Sequence, residues 1–429
     1  MRMHCSIICF LLILTSMLGV PFLRTAGATD LRAGVARIEI TPDKPVTMSG
    51  YGARKGLSTG VHDPLSARVL AFEANGRRLV LVSTDLIGFY SGTADSMREA
   101  ILSEFGLEPS ELFLTGIHTH AGPALTIDRE GGHPNNLEYT EMLKGRLIEV
   151  IRQALDRMEL ASLGLGIGHC PIGANRRELR FSKADEPSIV LGRDPYGPTD
   201  KEVLVMNVVG PEGGLKAVAF DYATHATCLS GKNYTISGDV LGLAEQAAER
   251  ILGPDVIVPA FAGASGNINP WFRRLSGFDT DPNWVPEPVL LGTFLGQEVV
   301  HVCRKIDRTV FADRIATAIA TLQLPAKPEE DSSEWDDSGT LPFNVTVARL
   351  GDVAFVGLGG EVLTEIGLAI KAASPCEHTF VITHCNGAAG YLAPKELYVR
   401  GGYEIRSTRF APQAAEVVVR ESIRMLHDL

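Results

Sequence analysis

The stretch from Arg77 to His120 limits the possible folds more than any other. "RRLVLVSTDL" (77–86) is a near-continuous apolar run ending in Ser-Thr-Asp, the pattern of a strand buried on both faces. Thr93 is placed to cap a helix over about Ala94 to Phe105, which Gly106 and then Pro109 stop. "ELFLTGIHTH" (111–120) reads as the next strand. Strand, helix and strand with short joints make a βαβ unit, so the sheet is expected to be parallel or mixed. The grammar returns later. "DVIVPAFAG" (255–263) reads as a strand and "PVLLGTFLGQEVVHVCRKI" (288–306) as an amphipathic helix. "DVAFVGLGG" (352–360) is another strand, leading into a helix from about Glu361 to Ala373, and "HTFVITH" (378–384) follows as a strand. The sequence shows no internal repeat and no dividing linker. The expectation is one large α/β domain with mixed or parallel sheets and flanking helices. The acidic stretch "KPEEDSSEWDDSGTLP" (327–342) is expected to be a solvated surface insertion.

The first residues follow a different rule. Arg2, an apolar run from Ile7 to Val20 broken by Thr15 and Ser16, and Ala26-Gly27-Ala28 have the layout of a cleaved secretory signal peptide. Residues 1–28 are read as that signal and 29–429 as the mature domain, secreted or periplasmic. About 400 residues then remain, enough for one large domain. The net charge of −11 and the lack of a basic block argue against a nucleic-acid partner. No later stretch is long and apolar enough to span a membrane. Cys170, Cys228, Cys303, Cys376 and Cys385 show no CxxC spacing, which speaks against a thiolate zinc site and for buried free thiols. Nothing in the sequence assigns an oligomeric state.

"GIHTHAGPAL" (116–125) sets two histidines two residues apart at the carboxyl end of a buried strand, where open α/β sheets carry their chemistry. Side chains at that spacing share one side of an extended chain. "VAFDYATHATCL" brings His225 to the end of a second apolar run. "VAFVGLGGEVLTEI" puts Glu361 past a Gly-Gly turn at a helix start, and "THCNGAAGYLAPKELY" places Tyr391 in a small-residue loop. Singly, Glu361 reads as a carboxylate complementing a helix dipole and Tyr391 as a packing residue. Together these residues offer the imidazole and carboxylate set that leaves a zinc ion open for catalysis. The HxHxDH pattern of metallo-β-lactamase-like enzymes is absent after His118, and amidohydrolase barrels carry their HxH near the domain start. Neither pattern fits.

With these segments in hand, the chain resembles the neutral/alkaline non-lysosomal ceramidase family. "AGVARIEITP", "MSGYG" and "GVHDPLSARVLAFE" look like that family's opening, and "HTHAGP" is similar to its HTHSGP box. "ANRRE", "ATHAT", "GGEVLTEIG" and "GYLAPKELYVRGGYE" follow in the family's order. The resemblance implies zinc held by His118, His225, Glu361 and Tyr391. It implies His120 beside them, taking a proton from a zinc-bound water or holding that water in place. Arg176 matches the family's functional arginine, a partner for substrate or oxyanion, with Arg177 the less well aligned candidate.

The likeness departs from the family's pattern in two places. The ceramidases carry a Gly-Asp-Val-Ser-Pro-Asn box, whereas this chain reads Gly266-Asn267-Ile268-Asn269-Pro270-Trp271. Asn269 stands in the serine's place, Ser265 lies four residues earlier, and an amide cannot form an acyl-enzyme. The expected attacking group is therefore a zinc-bound water, with Asn269 orienting it or the substrate. The chain also ends soon after the tyrosine box, where full-length ceramidases continue into an immunoglobulin-like domain. The leading expectation is a secreted zinc hydrolase of a ceramide-like N-acyl amide bond, acting in sphingolipid metabolism on a small-molecule or lipid substrate. A zinc hydrolase of a non-lipid amide, ester or sugar-linked substrate is the second reading, and a non-catalytic exported binding protein the third.

Overall fold

The structure is a computed structural model that describes residues 31–90, 92–181, 187–271, 287–310, 312–328 and 339–429. The signal-peptide expectation over 1–28 lies outside these residues. Three mixed sheets dominate. The first runs in the order Leu112–Gly116, Arg77–Thr84, Ser66–Ala74, Arg32–Glu39, Glu159–Leu160. The second runs Ala260–Ala262, Leu215–Tyr222, Glu202–Val209, Ser162–His169. The third runs Ile315–Pro325, Thr340–Leu350, Val353–Leu358, His378–Ile382.

Each sheet buries one face in a shared centre and the other under helices, which explains the unbroken apolar runs. Along the first sheet, Leu70, Phe72, Leu79 and Leu81 enter the central cluster with Met206, Phe261, Phe355 and Phe380 from the other two sheets. Their neighbours Val69, Ala71, Val80 and Val82 face the opposite way, onto Leu143, Leu147 and Ile151 of helix Pro134–Asp156. Alternation along a strand thus serves two cores at once. Val203 and Val205 pack beneath helices Asp239–Leu252 and Glu287–Lys305. Val345 and Val347 pack beneath Thr364–Ala373 and Ala414–Asp428.

One pair in each sheet is parallel: Arg77–Thr84 with Leu112–Gly116, Leu215–Tyr222 with Ala260–Ala262, and Val353–Leu358 with His378–Ile382. The helices Thr93–Phe105, Asp239–Leu252 and Thr364–Ala373 lie between the paired strands in sequence. The βαβ grammar is therefore used three times, and the carboxyl ends of all three units meet. Asn386, from the third unit, ties them by accepting from Leu114 N at 2.9 Å and donating to Leu112 O at 2.7 Å. His120 N donates to Ala226 O at 3.1 Å across to the second unit.

Several expectations are corrected in detail. Gly92, not Thr93, occupies the cap position of helix Thr93–Phe105, and the Thr93 hydroxyl instead donates back to Tyr90 O. Gly106 ends that helix as expected, in the left-handed conformation (φ 57°). The strand read over 255–263 shrinks to Ala260–Ala262, because Pro259 cannot donate within a ladder. Thr340, Leu341 and Pro342, assigned to the solvated insertion, begin a strand paired with Pro325, Leu324 and Gln323. Residues 329–338 of that insertion lie outside the described residues. All five cysteines among the described residues are free and buried.

Candidate metal centre

The strand holding the first histidine box ends at Gly116, so His118 and His120 do not share a strand face as their spacing suggested. His118 instead adopts a left-handed backbone (φ 62°) after Ile117 N and His118 N donate to Thr84 O and Leu86 O. A turn, not strand alternation, brings the imidazoles together. Their Nε2 atoms stand 3.3 Å apart. His225 follows the second unit's strand by three residues and completes a cluster of imidazole nitrogens lying within 4.8 Å of one another.

Glu361 is also placed differently from the expectation. It lies in a two-residue strand, Glu361–Val362, before the helix that starts at Thr364. That strand pairs in parallel with Tyr391–Leu392, and Glu361 and Tyr391 are register partners. A sheet pairing, not a helix dipole, thus sets the carboxylate and phenol side by side. Glu361 Oε2 sits 3.6 Å from His118 Nε2 and 3.7 Å from His225 Nε2.

Backbone carbonyls fix which imidazole nitrogens are free. His118 Nδ1 donates to Ile87 O at 2.8 Å, and His225 Nδ1 to Ser265 O at 2.7 Å. Both Nε2 atoms therefore face the cluster with their lone pairs, as metal-ligating histidines require. Burial, aided by the Arg176 charge, pushes His225 down to about 4. His120 is held well below the ordinary imidazole range by burial and then by His118 and His225. Burial pushes Glu361 up, but His118 and the neighbouring imidazoles outweigh it and hold the carboxyl well below the usual range. His120 and His225, both pushed down, beside an ionised carboxylate suit the donor set of a zinc-type cation.

The donor set also fits such a cation in space. Ligand atoms on a tetrahedral zinc, at roughly 2.0–2.1 Å from it, stand about 3.3 Å from one another. The separations of 3.6 and 3.7 Å from Glu361 Oε2 to His118 Nε2 and His225 Nε2 are close to that size. Glu361 Oε2 has no hydrogen-bond partner although buried. An unpaired buried carboxylate oxygen between two lone-pair nitrogens is costly without a cation. His120 Nδ1 is unpartnered too, and its ring packs so closely that a Cβ on Gly50 would come within 2.5 Å of it.

Arg176 crosses the floor of the site. Its Nη1 lies 3.2 Å from His225 Nε2 and donates to Asn269 Oδ1 at 3.3 Å, while Nη2 donates to the Tyr391 hydroxyl at 3.0 Å. Its Nε is held by Glu404 Oε1 at 2.7 Å, and the other Glu404 oxygen takes Arg177 Nη1 at 2.6 Å. Arg177 is thus turned away onto Glu404 and Gly401 O, leaving Arg176 as the arginine in the cluster. Arg176 also lies beside the Tyr391 and Tyr403 rings, at 5.6 and 5.5 Å from their centroids. Tyr391 is kept well above the ordinary phenol range by burial and Glu361, with Arg176 opposing. Ser265 supplies its carbonyl to His225, while its buried hydroxyl has no partner.

Sequence reasoning missed three residues here. His384 stacks on His118 with ring centroids 3.8 Å apart and planes 10° from parallel. Glu404 orients both arginines, and Tyr90 donates to Glu361 Oε1 at 3.3 Å. Tyr90 and His384 follow the carboxyl ends of strands Arg77–Thr84 and His378–Ile382, so the rule that found His118 applied to them as well.

Fold and site together define an α/β protein whose converging strand ends carry a buried histidine cluster that could hold a metal ion. The chain belongs to the neutral/alkaline non-lysosomal ceramidase family, whose N-terminal family model matches residues 31–272. Neutral ceramidase 1 of Arabidopsis thaliana is 27% identical over 243 residues, covering 54% of this chain and 31% of that protein. The neutral ceramidase of Mycobacterium tuberculosis (strain ATCC 25618 / H37Rv) is 24% identical over 245 residues, covering 52% of this chain and 37% of that one. Most of each relative's length is therefore unmatched. The crystal structure of neutral ceramidase from Pseudomonas aeruginosa superposes with a TM-score of 0.74 at 17% identity, covering 92% of this chain and 74% of that chain. The fold is shared.

Proposed function

We propose that this chain is an exported, zinc-dependent hydrolase of an N-acyl amide bond of the ceramide type, with residues 1–28 its signal and 29–429 its catalytic domain. The observation that carries the reading is the convergence of His118 Nε2, His225 Nε2 and the unpaired Glu361 Oε2. These three and Tyr391 would hold the ion. When bound, Zn²⁺ supplies Lewis acidity towards an acyl carbonyl and towards water.

The chain's own groups do the rest. His120, kept neutral by its surroundings, is the base that takes a proton at an imidazole nitrogen. Among the described residues Arg176 brings a positive side chain to the developing oxyanion, and Glu404 and the two tyrosine rings keep it aimed there. Asn269 Oδ1 is occupied by Arg176, which leaves Nδ2 to donate to the substrate. An amide at this position forms no acyl-enzyme, so the reaction proceeds by direct attack of water.

That residue also favours the second reading, hydrolysis of a non-lipid amide, ester or sugar-linked substrate on the same scaffold. The test is to measure zinc content of the purified protein and its turnover of N-acyl amides of graded chain length. About one zinc per chain with turnover of long-chain ceramide supports the first reading, whereas turnover confined to short amides or esters supports the second. A protein that holds zinc and turns over none of these substrates defeats both.

A further inference from the structure

We propose that Tyr90 is a positioning residue for Glu361, holding one carboxylate oxygen so that the other faces the imidazoles. The inference rests on the reading of Glu361 as a metal ligand. The two oxygens of Glu361 have different surroundings. Oε1 accepts from the Tyr90 hydroxyl at 3.3 Å, while Oε2 has no partner and lies between His118 and His225. A carboxylate tied at one oxygen presents the other as a single-oxygen ligand. Freed at both, it can rotate or chelate through both oxygens.

Tyr90 is itself firmly set. Its carbonyl accepts from Thr93 N at 3.0 Å and from the Thr93 hydroxyl at 2.6 Å, which pins it to the start of helix Thr93–Phe105. Gly88 (φ 131°) lies beside the ring, where a Cβ would come within 3.2 Å of it. The residue comes from the first βαβ unit and the carboxylate from the third, so the bond also spans the joint between units.

Tyr90→Phe removes the hydroxyl and keeps the ring. Zinc affinity is read by competition with a chromophoric chelator, in the native background and in a Glu361→Gln background. The expected result is a loss of about 10–100-fold in zinc affinity on Tyr90→Phe, the usual effect of removing a partner of a metal ligand. In the Glu361→Gln background the same change should alter affinity by less than about twofold, since Tyr90 acts through the carboxylate. The Co²⁺-substituted protein should change its visible absorption band in Tyr90→Phe as the carboxylate alters its mode of binding. An equal loss in both backgrounds would mean a general structural role and would overturn the proposal. If Glu361→Gln weakens zinc binding and Tyr90→Phe does not, the Tyr90 inference alone fails. If neither changes it, the ligand reading of Glu361 fails first.

Discussion

Two buried clusters in this molecule contain much the same chemistry and do opposite things. Around Arg68 lie Asp85, Glu245 and Glu249, with Arg68 Nε to Glu249 Oε1 at 2.9 Å and Nη1 to Glu245 Oε2 at 2.5 Å. Backbone adds to these contacts: Ala260 N reaches Glu245 Oε1, Val258 N reaches Glu249 Oε1, and Ser66 N reaches Asp85 Oδ2. Asp85 and Glu245 are both raised, by burial first. The network is nearly closed: of its carboxylate oxygens only Asp85 Oδ1 has no partner. Around Arg176, one carboxylate (Glu404) closes the arginine, while Glu361 Oε2, His120 Nδ1 and His384 Nδ1 are left without partners. Buried charge alone does not mark a site. Convergent, unsatisfied donor atoms do.

The largest expected effect breaks the open cluster. His225→Ala, and likewise His118→Ala or Glu361→Ala, should abolish zinc retention and bring turnover to background, while the protein stays folded by circular dichroism. Full zinc occupancy in His225→Ala, measured by elemental analysis, would sink the ligand assignment. The closed cluster should respond in the opposite sense. Arg68→Ala strands the buried carboxyls of Asp85 and Glu245, while Glu249 keeps Arg37, and should cost about 3–5 kcal/mol in a denaturant titration, through loss of fold. A variant that keeps wild-type stability would show that the Arg68 network is not the structural element inferred from its closure.

The contrast also explains what was legible in the sequence. Apolar runs are local, so the strands Arg77–Thr84, Val353–Leu358 and His378–Ile382 could be read directly, and His118 and His225 were read at strand ends that the structure places two and three residues before them. Glu361 was read at the right place in the wrong element, because a two-residue strand carries no periodic signal and is created by its partner Tyr391. The turn at His118 is likewise set by the carbonyls of Thr84 and Leu86, thirty-odd residues away in sequence. Tyr90 meets Glu361 across 271 residues, and Glu404 meets Arg176 across 228. No local pattern encodes such contacts. Of the three βαβ units the first and third were legible as strand, helix and strand, whereas the middle one, around helix Asp239–Leu252, was not read.

Within the open cluster, a smaller effect separates chemistry from metal holding. Asn269→Ala removes a hydrogen-bonding amide beside Arg176 and should lower kcat by about 10²–10³-fold with zinc still bound. His120→Ala should cost more than Asn269→Ala, since it removes the proton acceptor. The two are compared by steady-state kinetics on zinc-loaded protein, and the reverse order would reassign the base. A mass increase on any side chain during turnover would replace direct water attack with a covalent route.

The smallest effect tests whether an unpaired buried oxygen is enough to signal function. Asp221 Oδ1, in strand Leu215–Tyr222, is buried and unpartnered like Glu361 Oε2, but among the described residues it belongs to no cluster that could hold a metal. Its other oxygen accepts from Val381 N at 3.2 Å, and Lys371 Nζ lies 3.9 Å away, shared with Asp200 and Glu202. Burial raises the Asp221 carboxyl to about 7 even though Lys371 pulls it down. A raised folded-state pKa means that the folded protein holds a proton the unfolded chain has released. The stabilisation is therefore complete below about pH 4 and is lost as pH rises through about 7. One such proton changes stability by at most about 1.4 kcal/mol per pH unit within that window. Asp221→Asn keeps the neutral shape and cannot titrate, so its stability should fall less steeply than wild type between pH 5 and 7, with zinc content and turnover unchanged. Parallel pH–stability curves for the two proteins would remove Asp221 as the titrating group. Lost zinc in the variant would instead show that a solitary orphaned oxygen can matter to the centre, and that convergence is too narrow a criterion.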